Sequence, residues 1–395
     1  MLKIRSRSTV FVAGMLLLSG PGMAQQGVVI YGKLYPQLSY VNTSGATPVG
    51  TPVSTLSTPP TGVDFSRTEL AASDSWMGFR GTESLGGGMN AFWQIEGNVA
   101  VDSGDAQFAT RNTHVGLSGG FGRLWLGNID TPYKRAGDTL SFLGISARNH
   151  VSNVSLMTRM GSGTNLASSF FLRSPNSIAY DSPALGGFRV MAQYAPDEEK
   201  TSTRNAYLQS YAATYTAKNL YLGLGHEIHN DRFGGSLNSP AARSNFTNQA
   251  ARSRDVSTRA TAKYALKDTT VEFNYAWKTY RESGGAAGRF ESYRNRAWLL
   301  ALQHKIGAVT LATSYSRASQ GSCSLVGGAL CTTDGLEAAQ LNLGASYALS
   351  KRTYAYLISS KLKNGKSAVF SNLSAGAPAR GADIRHVSLG INHSF

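Results

Sequence analysis

Apolar and polar residues alternate in short segments along most of the chain, starting at about residue 27. The clearest segment is 268–281, where Val271, Phe273, Tyr275 and Trp277 alternate with Glu272, Asn274, Ala276 and Lys278. A pleated strand sends successive side chains to opposite faces, so a period of two predicts strands with one apolar and one polar face. The chain is therefore predicted to be all-β.

Tight turns and long polar loops follow one another between these segments. Residues 43–66 and 128–173 are the longest stretches with little alternation. The predicted strands are 27–40, a second ending near 83, a third starting at 89, 108–118, 121–128, 174–183, 186–196, 205–217, 219–231, 253–267, 268–281, 292–306, 308–319, 338–349, 351–363 and 383–395. An even number, 16, with short turns at one end and long loops at the other, is typical of a bacterial transmembrane β-barrel.

A soluble β-sandwich or β-solenoid would show the same alternation. Tryptophan and tyrosine on the apolar faces, at Trp93, Tyr264, Tyr275 and Trp277, are awkward for a soluble fold. Such side chains suit the aromatic girdles that barrels place at the lipid boundary. We therefore favour a 16-stranded antiparallel barrel over these alternatives.

The first residues have the features of a bacterial export signal. Lys3, Arg5 and Arg7 precede an apolar run, 10–18, that is too short to span a bilayer. Small residues lead up to Ala24, so we expect a signal peptide over 1–24 and one barrel domain over 25–395. Removing 24 of the 395 residues takes away three basic side chains and lowers the formal charge from +15 to +12. The alternative is an anchor helix that stays in place.

Composition agrees with a barrel and gives no sign of catalysis. The mean hydropathy is only −0.19, but a barrel needs an apolar residue at every second position only. Lysine and arginine are scattered, so no nucleic-acid partner is expected. None of the seven histidines lies in a recognisable catalytic motif, and we expect neither an enzyme nor a cofactor. An outer-membrane barrel enzyme stays open as an alternative, because residues distant in sequence can pair in space.

The chain has two cysteines, Cys323 and Cys331, within one short polar stretch. In an oxidising compartment they are candidates for a disulfide that closes a small surface loop. Two free thiols are the alternative. A metal site is not expected, because no histidine or third cysteine lies nearby.

Several motifs along the chain match a known family. They are Val-Val-Ile-Tyr-Gly (28–32), Gly-Phe-Arg-Gly-Thr-Glu-Ser-Leu-Gly-Gly-Gly (78–88), Val-Gly-Leu-Ser-Gly-Gly-Phe-Gly (115–122), Leu-Gly (126–127), Asn-Ser-Ile-Ala-Tyr-Asp-Ser-Pro (176–183), Leu-Ser-Lys-Arg-Thr (349–353) and the C-terminal Leu-Gly-Ile-Asn-His-Ser-Phe. In this set and order the chain resembles the Gram-negative general-diffusion porins of the β-proteobacterial type. The resemblance implies an outer-membrane homotrimer of 16-stranded barrels, each with its third loop folded into the pore.

In such a protein the functional site is the narrowest part of the pore. The resemblance places a basic cluster on the first four strands, and Arg80 and Arg111 lie at matching motif positions. Strand parity, by which alternate side chains of a strand face the same side, and position in the third loop add the remaining residues. The expected constriction comprises Lys33, Arg80, Glu96, Arg111, Asp130, Lys134, Arg135 and Asp138. Further loop cations are Arg148 and Arg159, and parity adds Arg259, Lys263 and Lys278 on the far wall.

The chain departs from the family pattern at three positions. Asn128 and Trp76 stand where family members often carry arginine, and Tyr35 stands where an aspartate is common. The constriction is therefore expected to be less charged, or differently shaped. The charge of +12 still predicts passive diffusion with weak anion selectivity, with a substrate-specific channel of the same fold as the alternative.

Two expectations concern partners outside the pore. Loop arginines such as Arg243, Arg252 and Arg254 suit the phosphates of lipopolysaccharide. The last strand ends in the aromatic Phe395, which resembles the signal read by the barrel-assembly machinery of this family. The same residue also fits the lipid face of a closing strand, and the two interpretations are compatible.

Overall fold

A computed structural model describes residues 27–72, 74–140, 142–146, 151–196, 198 and 200–395. The predicted signal peptide and its cleavage point after Ala24 lie outside these residues. Strands dominate, and the helical segments are α1 (Pro132–Gly137), α2 (Val154–Thr158) and the 3-10 turns Leu166–Ser168, Ser236–Asn238, Ala241–Arg243 and Val326–Gly328. Among the described residues, none of the helices has the length and apolar character needed to cross a membrane.

The described residues form sixteen barrel strands that follow one another along the chain, four of them in two segments. The first eight are β1 (Val29–Leu34 and Gln37–Ser44), β2 (Ser66–Ala71 and Trp76–Gly86), β3 (Met89–Val99), β4 (Ala106–Gln107 and Thr113–Gly119), β5 (Gly122–Asp130), β6 (Arg173–Asp181), β7 (Phe188–Pro196) and β8 (Tyr207–Thr216). The others are β9 (Leu220–Asn230), β10 (Arg252–Leu266), β11 (Thr269–Ser283), β12 (Phe290–Ile306), β13 (Val309–Ala318 and Ser322–Leu325), β14 (Ala338–Ala348), β15 (Thr353–Asn364) and β16 (Asp383–Ser394). The two segments of β4 both pair with β3.

The sheet closes on itself where the last strand meets the first. Consecutive strands pair antiparallel, and β16 pairs with β1, with Leu34 opposite His393 and Gln37 opposite Gly390. The backbone N–H groups of Gly32 and Phe395 each donate to the other residue's carbonyl oxygen at 3.1 Å. Closure joins the two ends of the sheet, whereas the segments Ser66–Ala71, Ala106–Gln107 and Ser322–Leu325 each pair with one neighbouring strand. The predicted 16-stranded antiparallel barrel is confirmed.

The two faces of the sheet differ as the alternation predicts. Along β11 the side chains of Phe273 and Trp277 are exposed on the outside, whereas Glu272, Asn274 and Lys278 are buried on the inside. The exposed apolar side chains form the outer surface of the barrel. The inner face carries most of the buried polar groups.

Two strands are interrupted where the sequence alone predicts continuity. The predicted strand 108–118 is broken because Ala109 adopts a positive φ of 62° and Arg111 N donates to Glu96 O at 2.9 Å, outside the regular ladder. Strand β1 is broken at Tyr35 and Pro36, where the proline has no N–H to donate.

The tight turns lie together at one end of the barrel, which we call the short-turn end, and the long loops lie at the other. The third long loop, residues 131–172, joins β5 to β6 and is called loop three below. At the long-loop end, Cys323 in β13 is joined to Cys331 by a disulfide with the two Cα atoms 5.7 Å apart. The disulfide closes a small loop, as the short distance between the two cysteines in the sequence indicates.

Phe395 offers a test of both closure and assembly. Deleting it removes the two hydrogen bonds with Gly32, which weakens closure by about 2 kcal/mol at about 1 kcal/mol for each bond. We expect less heat-modifiable barrel on gels of outer membranes. Phe395→Ala keeps the backbone bonds and removes only the ring that an assembly signal would need.

Phe121→Ala is the matched control, since Phe121 is an exposed aromatic residue in a short turn. Wild-type amounts of heat-modifiable barrel for Phe395→Ala would rule out the signal role, even if the deletion is defective.

Candidate functional site

Loop three begins by packing α1 against the inside of the barrel. Thr131 caps α1, with Lys134 N donating to its Oγ1 at 3.3 Å, and Pro132 occupies the first turn, where its missing N–H costs nothing. Tyr133 N donates to Ser210 Oγ of β8 at 3.0 Å. On β9, a Cβ at position 223 would lie 2.7 Å from Ala136 O, so glycine there permits the close approach of α1.

The middle of loop three continues along β12 to β14. The carbonyl oxygen of Val151 accepts from Gln340 Nε2 at 2.8 Å and from Asn342 Nδ2 at 3.1 Å. Leu156 of α2 belongs to a buried apolar cluster with the inward-facing Leu299 and Leu362. Both polar and apolar contacts therefore hold the loop against one side of the inner wall.

The three far-wall cations hold loop three in place. Arg259 donates to Tyr133 O, and Lys263 Nζ donates to Thr139 O at 3.3 Å. Lys278 Nζ donates to Leu156 O at 2.8 Å and to Arg159 O at 2.9 Å. Parity correctly predicts that these side chains face inward, but each binds a carbonyl of the loop, and Arg259 and Lys278 are buried.

Opposite this packed side lies an open cavity of about 810 Å³. Its charged lining comes from the walls of β2 to β6 and from loop three: Asp74, Glu96, Arg111, Asp130, Lys134, Asp138, Arg159 and Arg173. Residues 369–377, which precede β16, contribute a less charged side. We call this space the central cavity.

Cations and carboxylates in the central cavity are paired. Arg111 Nε lies 2.6 Å from Glu96 Oε1, and Lys134 Nζ lies 2.7 Å from Asp130 Oδ1. Arg173 Nε lies 3.1 Å from the same Asp130 oxygen. Each positive charge is thus partly offset by a neighbour, and the field in the cavity reflects the small difference between them.

Arg159 differs from these paired cations. Burial lowers the pKa of Arg159 below its usual range, and its Nε has no hydrogen-bond partner among the described residues. Arginine nevertheless stays protonated in proteins. Asp138, also on loop three, accepts from Ser146 Oγ at 2.9 Å.

The eight expected constriction residues fall into two groups. Those that line the central cavity are Glu96, Arg111, Asp130, Lys134 and Asp138. The other three lie elsewhere: Lys33 forms an ion pair with Asp74, Arg80 packs over the Tyr31 ring at 4.7 Å, and Arg135 binds Asp181 with both terminal nitrogens. Arg148 lies outside the described residues.

Two lining residues, Asp74 and Arg173, are absent from the sequence prediction. Asp74 lies between the two segments of β2, where alternation is interrupted and parity gives no direction. Arg173 starts β6 and reaches Asp130 because the register of β5 shifts between Gly127 and Ile129. Among the described side chains, no group of three or more His, Cys, Asp or Glu is placed to hold a metal ion.

The sequence profile of the Gram-negative porins matches residues 8–367. The chain belongs to the Gram-negative porin family. Outer membrane porin protein 32 of Delftia acidovorans is 32% identical over 217 residues, covering 53% of this porin and 56% of the relative. Major outer membrane protein P.IA of Neisseria meningitidis serogroup B is 31% identical over 160 residues, covering 40% of this porin and 36% of the relative. The match spans less than two thirds of the length of either relative.

Solved structures share the fold of this porin. The anion-selective porin from Comamonas acidovorans superposes with a TM-score of 0.69 at 23% identity, covering 94% of this chain and all of that one. In-vitro folded OmpT of Vibrio cholerae has a TM-score of 0.61 at 15% identity, covering 93% of this chain and 97% of that one. A porin of this family lies in the outer membrane, with short turns on the periplasmic side and long loops outside. The short-turn end is therefore periplasmic.

Lys278→Met tests the anchoring of loop three in this porin. The change keeps the apolar stem but removes the hydrogen bonds to Leu156 O and Arg159 O. Hydrogen bonds from charged groups contribute about 1.5–3 kcal/mol each, so the loop should open more often. We expect trypsin to cut the folded barrel after Arg159 faster than in wild type, as followed by mass spectrometry.

Lys351→Met is the control, because Lys351 lies in an exposed turn at the periplasmic end and is distant from loop three in the sequence. Equal cleavage rates after Arg159 in wild type and Lys278→Met would show that Lys278 does not anchor the loop.

Proposed function

We propose that this porin forms a water-filled channel for passive diffusion of small hydrophilic solutes and ions, with a weak preference for anions. The observation that carries the proposal is the central cavity, a charged and open space inside a closed barrel with an apolar exterior. Charged side chains around a confined water column control which ions pass. The relatives named porins, and the fold neighbour named an anion-selective porin, support the same function.

The constriction is proposed to lie at the central cavity, between loop three and the walls of β2 to β6. Its charged residues, with the partner Lys33, comprise five cations and four carboxylates. The cations are Lys33, Arg111, Lys134, Arg159 and Arg173; the carboxylates are Asp74, Glu96, Asp130 and Asp138. An excess of one positive charge supports a preference for anions that is weak.

A channel of this kind needs neither covalent chemistry nor a cofactor, and we propose that the protein is not an enzyme. Outer membrane porin protein 32 of Delftia acidovorans and the anion-selective porin from Comamonas acidovorans are porins by name, which supports a role without catalysis. A hydrolase assay on the purified protein tests this point, and turnover lost together with a single nucleophile variant would overturn it.

We propose a homotrimer built on the outer face of β1 to β3. Outward positions there carry apolar or neutral side chains such as Leu38, Tyr40, Leu70 and Phe79, and Glu83 near the periplasmic turn is the charged exception. The outer faces of β10 to β13 instead carry exposed arginines near the long-loop end. A surface whose outward side chains are uncharged except for Glu83 suits contact with other copies.

The arginines of β10 to β13 are proposed to bind lipopolysaccharide phosphates. Arg252, Arg254 and Arg281 line a groove of about 610 Å³ at the extracellular end of the barrel. Arginine binds phosphate through a planar fork of N–H donors. Arg243, which the sequence analysis adds to this set, lies in a 3-10 turn of the loop between β9 and β10.

Planar-bilayer recording tests the channel, its selectivity and its assembly together. We expect the conductance to appear in steps and to grow linearly with salt concentration. In a KCl gradient the reversal potential should be shifted toward the equilibrium potential of chloride. Each channel should close in three equal steps. A silent bilayer would reject the channel, and a clear potassium preference would reject anion selectivity. Conductance that saturates with one solute would indicate a substrate-specific channel, and single-step closure would count against the trimer.

Arg254→Gln with Arg281→Gln tests the lipopolysaccharide groove. Each arginine near a charged membrane surface contributes about 1 kcal/mol, so the pair should weaken retention by about 2 kcal/mol. We expect less lipopolysaccharide to copurify with the double variant. Arg352→Gln, in a periplasmic turn that the outer leaflet does not reach, should retain wild-type amounts; equal retention in all three proteins would exclude the groove.

A further inference from the structure

Three arginines meet at the periplasmic end of the lumen, below the central cavity. Arg123 and Arg189 face inward near the start of β5 and of β7, and Arg135 extends toward them from α1. The guanidinium carbons of Arg123 and Arg135 lie 4.8 Å and 5.1 Å from the centre of the Trp125 ring. Arg123 also interacts electrostatically with Arg189, so the three form one group. We call them the periplasmic arginine cluster.

A single carboxylate faces this cluster within the described part of the chain. Asp181, at the end of β6, accepts from Arg135 Nη1 at 2.6 Å and from Nη2 at 2.8 Å. Both its oxygens are engaged by Arg135, and Asp181 also lies opposite Arg123 in the strand ladder and attracts it electrostatically, so these two arginines share one carboxylate. Three cations against one carboxylate give an excess of two positive charges, compared with one in the central cavity.

Open space adjoins the cluster. A cavity of about 490 Å³ is lined by Arg135 and Arg189, by the hydroxyls of Thr214 and Thr216, and by Tyr221. Tyr221 donates to Ala136 O at 2.8 Å, which fixes α1 above this space. Lys263 lies 5.5 Å from the Tyr221 ring, and its charge is offset by the electrostatic attraction of Glu272, so this pair adds no net charge near the cluster.

We propose that the periplasmic arginine cluster is an anion-binding station, separate from the central cavity, and that it supplies most of the anion preference of the pore. Its ligands are small anions, above all oxyanions such as carboxylates and phosphates, which match the donor fork of arginine. This inference rests on the proposed channel function, because selectivity has meaning only in a conducting pore.

The physical reason is the difference in pairing between the two places. In the central cavity nearly every positive charge has a negative neighbour, so the field seen by a passing ion is mostly cancelled. At the cluster the uncompensated charges act together on an ion in a narrow space with low-dielectric walls. A unit charge about 14 Å from the passing ions in water changes the local ratio of anions to cations by a factor of roughly two to three, because it attracts one and repels the other.

Two changes with opposite signs test the station. Arg123→Gln with Arg189→Gln should lower the chloride-to-potassium permeability ratio by roughly four- to ninefold at low salt, at roughly two to three for each charge removed. Asp181→Asn removes the compensating carboxylate and should raise the ratio by roughly two- to threefold. A residue that only supported the fold would not move the ratio upward. Both effects should shrink near 1 M salt, where charges are screened within about 3 Å.

The matched control is Lys351→Gln with Arg352→Gln, which removes the same number of positive charges from an exposed periplasmic turn. Its permeability ratio should equal that of wild type. Inorganic phosphate and acetate serve as oxyanion probes: each should reduce chloride current through wild type more than through Arg123→Gln with Arg189→Gln. Inhibition by phosphate alone, or by acetate alone, would still support the station and would identify the oxyanion class that it prefers.

The outcomes separate this inference from the channel function. A conducting wild type whose permeability ratio is the same in Arg123→Gln with Arg189→Gln and in Asp181→Asn would overturn the station and leave the channel intact. A wild type that carries no current would overturn both. Equal inhibition of wild type and the double variant by both oxyanions would also overturn the station.

Discussion

Closure of one hydrogen-bonded ladder is the constraint on which the rest of this structure depends. In lipid no water is present to satisfy backbone N–H and C=O groups, so each strand must pair on both sides. The pairing of β16 with β1, completed by the reciprocal bonds of Gly32 and Phe395, meets that requirement. Once the sheet is closed, alternation along each strand places one set of side chains outside and the other in the lumen.

The lumen that closure creates is divided by loop three. On the side of β8 to β14 the loop covers the wall, and buried cations such as Arg259 and Lys278 bind its carbonyl oxygens. A buried ammonium or guanidinium without partners would be strongly unfavourable, so these side chains both require the loop and hold it. The central cavity thereby lies on the side of β2 to β6, and the smaller cavity beside the periplasmic arginine cluster lies below α1.

Charge in the remaining space is arranged by pairing. Arg111 and Arg173 lie beside Glu96 and Asp130, so the central cavity is rich in charge but nearly balanced. Asp181, by contrast, forms its ion pair with Arg135 and also attracts Arg123, so one carboxylate offsets two of the three periplasmic arginines only in part. The number of ionisable residues in a region is therefore a poor guide to its field, because neighbouring opposite charges largely cancel.

The sequence by itself determined the strand number, the antiparallel order, the inward face of residues such as Glu96, Lys278 and Arg259, and the family. These properties follow from local alternation and short motifs. Only the tertiary structure decided that Lys278 binds loop carbonyls, that Arg135 reaches Asp181, and that Asp74 joins the cavity. Parity gives the face of a side chain but neither its height along the barrel nor its partner, and both of these depend on strand register and on a loop whose contacts are distant in sequence.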